Sequence, residues 1–481
     1  METRKLAFLG GSGMALIPFA IFIVVTIALS FADFQNINMM VGAGVVALLI
    51  GMIFCEDIGG YWDVILEGLG SKVAMTAVML WLVVGIYGSI LKSGHIVEGL
   101  VWLSVKMGVS GRMFTVFAFL FAALFACATG SGFGTISTMS FILYPAGILL
   151  GSNPAVLAGA ILSGAGFGDN FAPVSDTTII AAASQEYKYK AGAADIGGTV
   201  KERFRYVIVA AAIAAVLFFV FGGSGTSSAK AQAMLAEYQM PLGLLLLIPT
   251  LVVIIMAVRG INIFAALGTG IVLASILGLT AGLFDFSALI SIGHGSIGGA
   301  IPNGVAGMFN VSLLLMVVVA MGQLLIASGC MEAVVDWLNN SVIKSETGAE
   351  LALFCLSTLF GILIAAINTI ANICVAPFIN AIGRNNDLHP YRRANILATT
   401  ICSFPFFLPY GGCVLLLLGG LSSMTDTYSV LPKLRAGSMM FTSFYNWAIW
   451  IVMLVCCITG IGRAFEGRNG EYIRAEKNPN K

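Results

Sequence analysis

From Pro154 to Gly166 the chain is almost wholly Ala, Leu, Ile, Val and Gly, and from Ile179 to Ala183 it is apolar again. Between the two runs stands Gly168-Asp169-Asn170-Phe171-Ala172-Pro173-Val174-Ser175-Asp176-Thr177-Thr178. Two carboxylates, an amide and three hydroxyls thus sit in the middle of a run long enough to cross a bilayer, which leaves few folds open. Pro173 removes a backbone donor and disfavours helix at Ala172, while Gly164, Gly166 and Gly168 weaken the helix ahead of it. The spacing predicts a broken spanning helix over 154–186, two half-helices around an unwound link. Freed backbone at membrane depth is tolerated only where it is buried in protein or lines a wet cavity, and acids there are functional candidates. Unwound carbonyls, hydroxyls and a carboxylate are the hard oxygen ligands that replace the water of a small cation.

The rest of the chain agrees with a membrane setting. Of 481 residues 59% are hydrophobic and only 10% charged, against about 25% charged in an ordinary soluble domain. The basic residues are too dispersed for a nucleic-acid patch. Nine Cys lie scattered without metal-ligand spacing and read as small buried hydrophobes. No nucleophile–base pairing suggests an enzyme, and no cofactor is implied. The N-terminal run 14–32 has the look of a signal peptide but is too long in its apolar core, so it reads as a first span.

Further spans are expected near 39–55, 72–92, 205–222, 242–258, 262–281, 308–328 and 439–462. Regions 112–150 and 350–383 are apolar but punctuated at their centres and read as re-entrant hairpins; 391–421 reads as a second broken helix. Trp62–Leu69 and Val97–Val105 read as short interfacial helices, with Glu56, Asp57, Asp63, Glu67 and Glu98 solvated. His95, His294 and His389 are expected at membrane interfaces.

An internal duplication supports this parsing. Leu16-Ile17-Pro18 recurs as Leu247-Ile248-Pro249, Ser93-Gly94 through Glu98 to Trp102-Leu103 recurs as Ser328-Gly329 through Glu332 to Trp337-Leu338, and Pro145, Asn153-Pro154 and Pro173 match Pro377, His389-Pro390 and Pro409. The matches are collinear at a nearly constant offset. They predict two repeats, about 1–222 and 241–465, separated by an extracytoplasmic linker 223–240 and followed by a cytoplasmic tail 466–481. An odd number of crossings in each half makes the repeats inverted, an architecture that places sites where discontinuous helices meet at mid-membrane. The expected fold class is therefore an all-α polytopic membrane protein of two inverted repeats, with about 11 transmembrane helices, two of them broken, plus two re-entrant hairpins. With both termini cytoplasmic, most of the 24 Lys and Arg fall inside, among them Lys188, Lys190, Lys201, Arg203, Arg205, Arg259, Arg384, Arg392 and Arg393.

Within the motif, Ser175 or Asp176 is placed to cap the half-helix that starts at Thr177. Capping is compatible with ion coordination, and an acid rather than Ser or Asn at roughly 2.5–3.5 kcal/mol of insertion cost favours coordination or proton exchange at Asp176. Asp169, across the link, is expected to share the site or accept the proton. In the first hairpin Thr135, Ser137 and Thr138, with Thr129 and Ser131, cluster around Gly130, Gly132 and Gly134, where close helix packing is the competing reading. In the second, Asn368, Thr369 and Asn372 put costly amides at the tip.

Gly168-Asp169 followed by Pro173-Val174-Ser175-Asp176-Thr177-Thr178 resembles the GD-x-x-[SA]-P-[LIV]-S-D-T-T signature of NhaC-type sodium/proton antiporters, members of the larger ion transporter superfamily. Gly130–Thr135 looks like that family's Gly/Ser/Thr-rich hairpin motif, and Asn368-Thr369 resembles the hairpin tips of the superfamily. The resemblance implies a cation-coupled secondary active transporter of the cytoplasmic membrane exchanging sodium for protons. It implies binding residues Asp169, Asn170, Ser175, Asp176, Thr177 and Thr178, with Asp176, Ser175 and Thr178 on sodium, and a homodimer with a scaffold and a moving transport domain. Asn170 stands where the family often carries Lys. Phe404-Pro405 and Tyr410-Gly411-Gly412 replace the acids expected in the second broken helix, which leaves open a sodium- or proton-coupled carrier of a small organic solute such as a carboxylate or amino acid.

Overall fold

The computed structural model describes residues 5–31, 37–70, 72–173, 175–223, 240–259, 261–293, 296–330, 345–422, 424 and 431–474. Val174 of the motif, His294, the repeat match at Glu332 and Trp337-Leu338, most of the linker and residues 475–481 of the tail lie outside them.

Helices make up most of the described chain. A 3-10 turn, Ser12–Leu16, leads into α1 (Ile17–Phe31), followed by α2 (Ile37–Met52), α3 (Ile58–Leu69), α4 (Lys72–Ser93) and α5 (Ile96–Lys106). The helices α6 (Gly111–Thr129) and α7 (Gly132–Leu149) are joined by two residues, with Gly130 at φ 63°, a left-handed geometry suited to glycine. Next come α8 (Pro154–Phe171), α9 (Asp176–Ala183) and the long α10 (Ile196–Phe221). A second 3-10 turn, Pro241–Leu246, opens the succession α11 (Leu247–Val258), α12 (Ile263–Thr280), α13 (Phe286–Leu289), the hairpin β1 (Ser291–Gly293) and β2 (Ser296–Gly298), and α14 (Ala300–Ala327). Then follow α15 (Glu346–Leu363), α16 (Asn368–Asn385), α17 (Pro390–Ile401), α18 (Gly412–Ser422), α19 (Ala436–Thr442), α20 (Phe444–Thr459) and an antiparallel pair, β3 (Ala464–Glu466) with β4 (Tyr472–Arg474).

The boundaries follow capping chemistry. Asn153 accepts from the N–H groups of Ala155 and Val156 with Pro154 as the first helical residue, and Ser110, Asp195 and Ser345 accept from the third N–H of α6, α10 and α15. Five described helices, Ala74–Ser93, Gly132–Leu149, Ile196–Phe221, Ala300–Ala327 and Glu346–Leu363, are long and apolar enough to cross a bilayer. The protein is a multi-pass membrane protein.

The packing is close where residues are small. Gly85 of α4 faces Gly304 of α14 so tightly that a Cβ on either would come within 2.5 Å of the other's carbonyl oxygen. Gly164 and Gly168 do the same for α8 against α6, where added Cβ atoms would meet Phe119 O at 2.5 Å and the Ala126 Cβ at 2.1 Å. This corrects the expectation that these glycines loosen the helix: α8 is continuous to Phe171, and they let it lie against its neighbour.

Other expectations are also corrected. The last span is not one helix: α19 and α20 meet at a 52° bend at Ser443, whose buried hydroxyl accepts from the Asn446 amide at 2.9 Å. Glu98 is buried and pairs with His95 at 3.3 Å, because α5 folds back onto the Pro241–Leu246 turn. His389 is buried, and its Nδ1 accepts from the Tyr391 N–H at the start of α17. Three of the arginines counted toward the cytoplasmic side, Arg203, Arg392 and Arg393, have buried side chains. Arg392 and Arg463 both pair with buried Glu350, at 2.7 and 3.1 Å. Among the cysteines, Cys355 is exposed.

Candidate cation site

Both apolar regions expected to be broken are broken. Between α8 and α9, Ala172 and Ser175 are extended (ψ 127° and 134°). Between α17 and α18 the chain turns through Ser403 to Gly411, with a 3-10 turn at Phe404–Phe406. The α6–α7 and α15–α16 hairpins bring their tips to these breaks. An added Cβ on Gly132 of the first tip would lie 2.6 Å from the Phe406 ring and 3.5 Å from Asp169 Cβ, and the Gly412 N–H donates to the Ala365 carbonyl of the second tip at 3.1 Å. Each hairpin also packs its second helix on the broken helix of the other half, α7 on α18 and α16 on α9.

Asp169 lies where the four meet, its side chain buried. The Ser175 hydroxyl donates to Asp169 Oδ1 at 2.7 Å across the break, and the Asn368 amide donates to Asp169 Oδ2 from the second hairpin. Thr177 stands one step back, its hydroxyl 2.9 Å from that of Ser175 and donating to the Asp169 carbonyl at 3.3 Å. Ser175 occupies the N-cap position of α9 but makes no capping bond, which corrects that expectation: its hydroxyl is spent on Asp169.

A second group holds both flanks of the same break. Arg203 of α10 donates from Nη1 to the Asn170 carbonyl and to the Thr178 hydroxyl (2.9 Å), and from Nε to Asn395 Oδ1 of α17 at 2.8 Å. Asn170 is fully buried, and neither atom of its side-chain amide has a partner among the described residues.

The other expected residues distribute as follows. Asp176 begins α9 with its side chain exposed, so that of the three residues expected on sodium only Ser175 joins the Asp169 cluster while Thr178 faces Arg203. Asn368 Oδ1 accepts from the Thr369 N–H and its carbonyl from the Asn372 amide, which shapes the tip. Thr135, Ser137 and Thr138 donate to carbonyls of residues 131, 133 and 134 in their own first turns, at 2.8, 2.6 and 2.9 Å. Arg203 and Asn395 were not anticipated. Their neighbours Lys201 and Arg205 give Arg203 the look of a cytoplasmic residue; the signal to be read was the helical face Thr199, Arg203, Tyr206, Ala210, Ala214, Phe218, all of it buried.

This arrangement, an acid with hydroxyl and amide partners at the meeting of two broken helices, suits a small cation. Residues 6–188 match the model of the Na+/H+ antiporter family. The resemblance seen in the motif therefore extends over that whole stretch. The chain is 28% identical over 233 residues to the Na+/H+ antiporter NhaC of Alkalihalophilus pseudofirmus, covering 47% of this chain and 49% of that protein. It is 25% identical over 243 residues to the malate-2H+/Na+-lactate antiporter of Bacillus subtilis, covering 49% and 50%. The chain thus spans about half the length of the curated relatives it matches. Among solved structures, that of Neisseria gonorrhoeae MtrF, described as illuminating a class of antimetabolite efflux pumps, aligns at a TM-score of 0.42 and 11% identity, covering 81% of this chain and 82% of that one.

Proposed function

We propose that the protein is a secondary active transporter that exchanges sodium for protons across the cytoplasmic membrane, with Asp169 as the group that binds either ion. The observation that carries the reading is the burial of Asp169 between a break and a hairpin tip, with Ser175 and Asn368 on its two oxygens. A buried carboxylate with these partners holds one proton or one desolvated cation, and the competition between them is the coupling. Ser175, Thr177 and the carbonyls of the break supply further oxygens, and Asp176, at the exposed start of α9, adds negative charge at the approach. The relatives named above support exchange as the mode of transport.

The same reading includes two inverted repeats, 1–222 and 241–465, with both termini cytoplasmic. The succession of 3-10 turn, helices, hairpin, broken helix and last span occurs twice in the same order, and the reciprocal packing of each hairpin on the other half's broken helix supports it. A homodimer with a moving transport domain belongs to this proposal. The second, uncharged break, with Phe404, Phe406 and Tyr410 buried, would suit a small organic solute as additional cargo, as in the malate-2H+/Na+-lactate antiporter.

The test is flux in proteoliposomes holding the purified chain, with internal pH and labelled uptake read together over a panel of cations and small carboxylates. Sodium-driven alkalinisation or acidification is expected, without uptake of organic solute if sodium and protons are the only cargo and with it if the second break holds a solute. Solute uptake without proton movement would overturn the antiport reading.

A further inference from the structure

Arg203 is a buried charge beside the cation site that the site does not use. Arg392, equally buried, is balanced by Glu350, but the hydrogen-bond partners of Arg203 are a carbonyl, a hydroxyl and an amide oxygen, all neutral. Its Nη2 has no partner among the described residues. A guanidinium in that setting is costly to bury, and neutral acceptors offset the cost only in part. The negative charge closest along the chain to the carbonyl it holds is Asp169, one residue before Asn170, and the two groups act on each other electrostatically. They do not pair. The carboxylate turns toward Ser175 and Asn368, while the guanidinium grips the Asn170 carbonyl and the Thr178 hydroxyl, one on each flank of the unwound link.

We infer that Arg203 is the resident cation of the Asp169 site. It is a positioning residue that holds both ends of the break and whose fixed charge sets how tightly Asp169 keeps a transported cation. The inference rests on the reading of Asp169 as the cation-binding group. Its geometry needs an arginine: one planar fork reaches α8, α9 and α17 together, which a lysine ammonium does not. The electrostatics follow from burial. A cation arriving at Asp169 meets a positive charge that water screens poorly, so its affinity is held down and it is released when the site opens to the other side. A carrier requires that release, since a buried carboxylate alone would hold the ion too long.

The experiment is sodium titration of the purified chain by calorimetry, with exchange rate measured in proteoliposomes on the same preparations. Asp169→Asn is expected to abolish sodium binding; sodium binding like that of the unchanged protein would refute the underlying reading and the inference with it. Arg203→Gln keeps amide donors but removes the charge, and its sodium Kd is expected to fall by about tenfold or more while exchange slows, because removing a poorly screened like charge strengthens binding. Arg203→Lys keeps the charge but not the fork, and is expected to bind sodium with near-unchanged affinity and exchange it more slowly. If Asp169→Asn loses binding while Arg203→Gln binds sodium with unchanged affinity, the charge of Arg203 plays no part and the inference fails. Should Arg203→Gln not fold, the lysine variant decides: a folded protein with a strongly altered Kd overturns the assignment, since the charge it keeps would then not be what sets affinity.

Discussion

At the scale of single residues, the acids of the motif divide their work by environment. Asp169 is buried and bonded from two elements, whereas Asp176 has its side chain exposed at the start of α9 and outside that cluster, so the first acid holds the ion and the second acts on it from a distance. Asp176→Asn is accordingly expected to weaken sodium-dependent flux by several-fold without abolishing it, and flux assays of the two asparagine variants side by side check the ranking. Asn368 distinguishes the cargo classes. Asn368→Asp places a second carboxylate against Asp169, and two acids at one site share a proton or a cation. If sodium and protons are the only cargo, transport should be retained with tighter sodium binding. If the tip holds an organic anion, solute uptake should be lost with sodium binding retained, which paired binding and uptake measurements on this one variant resolve.

At the scale of elements, the site depends on contacts that leave no room for a side chain. A Cβ on Gly412 would stand 2.1 Å from the Ala366 carbonyl oxygen, a backbone atom that cannot swing aside. Gly412→Ala is therefore expected to part the second hairpin from the second break and to destabilise the fold by about 1–3 kcal/mol, the usual cost of overpacking, read as a lowered thermal midpoint in detergent. The start of α10, which carries Arg203, is held by Asp195. The Tyr391 hydroxyl and the Gly198 N–H on its carboxylate keep that group below the usual carboxylate range. A depressed folded value stabilises the protein above the unfolded value, near 3.9, and the contribution is lost as pH falls through the folded one. Asp195→Ala should thus lower the thermal midpoint at neutral pH, with the gap to the unchanged protein closing in strongly acidic buffer.

At the scale of the whole molecule, the two halves meet through exchanged partners: α4 with α14, α10 with α20, and each hairpin with the other's broken helix. The loops that carry Lys188, Tyr189 and His389 are tied by the C-terminal hairpin, where the Glu466 carboxylate accepts from the N–H groups of Lys188 and Tyr189 and the His389 N–H donates to the Ala464 carbonyl. If the halves are inverted repeats, cysteines replacing Lys190 and Arg468 in a cysteine-free background should be labelled only from the cytoplasm and one replacing Lys230 only from outside. Labelling of positions 190 and 230 from the same side would rule the inversion out.

The apolar runs, the two interruptions and the two hairpins were legible in the sequence because each depends on local chemistry: membrane length in apolar residues, a proline that removes a donor, and polar residues too costly to face lipid. Asp169, Ser175 and Asn368 were legible for the same reason. What the tertiary structure alone decided was which of the polar groups meet. Asp169 and Asn368 come from opposite halves, Arg203 reaches the break from a helix whose neighbouring lysine and arginine give it the look of a cytoplasmic residue, and the hydroxyls of Thr135, Ser137 and Thr138 donate to carbonyls of their own hairpin. Cost of burial is a property of a residue and its neighbours in the chain; the partner that offsets it lies far away in sequence, and only packing brings it near.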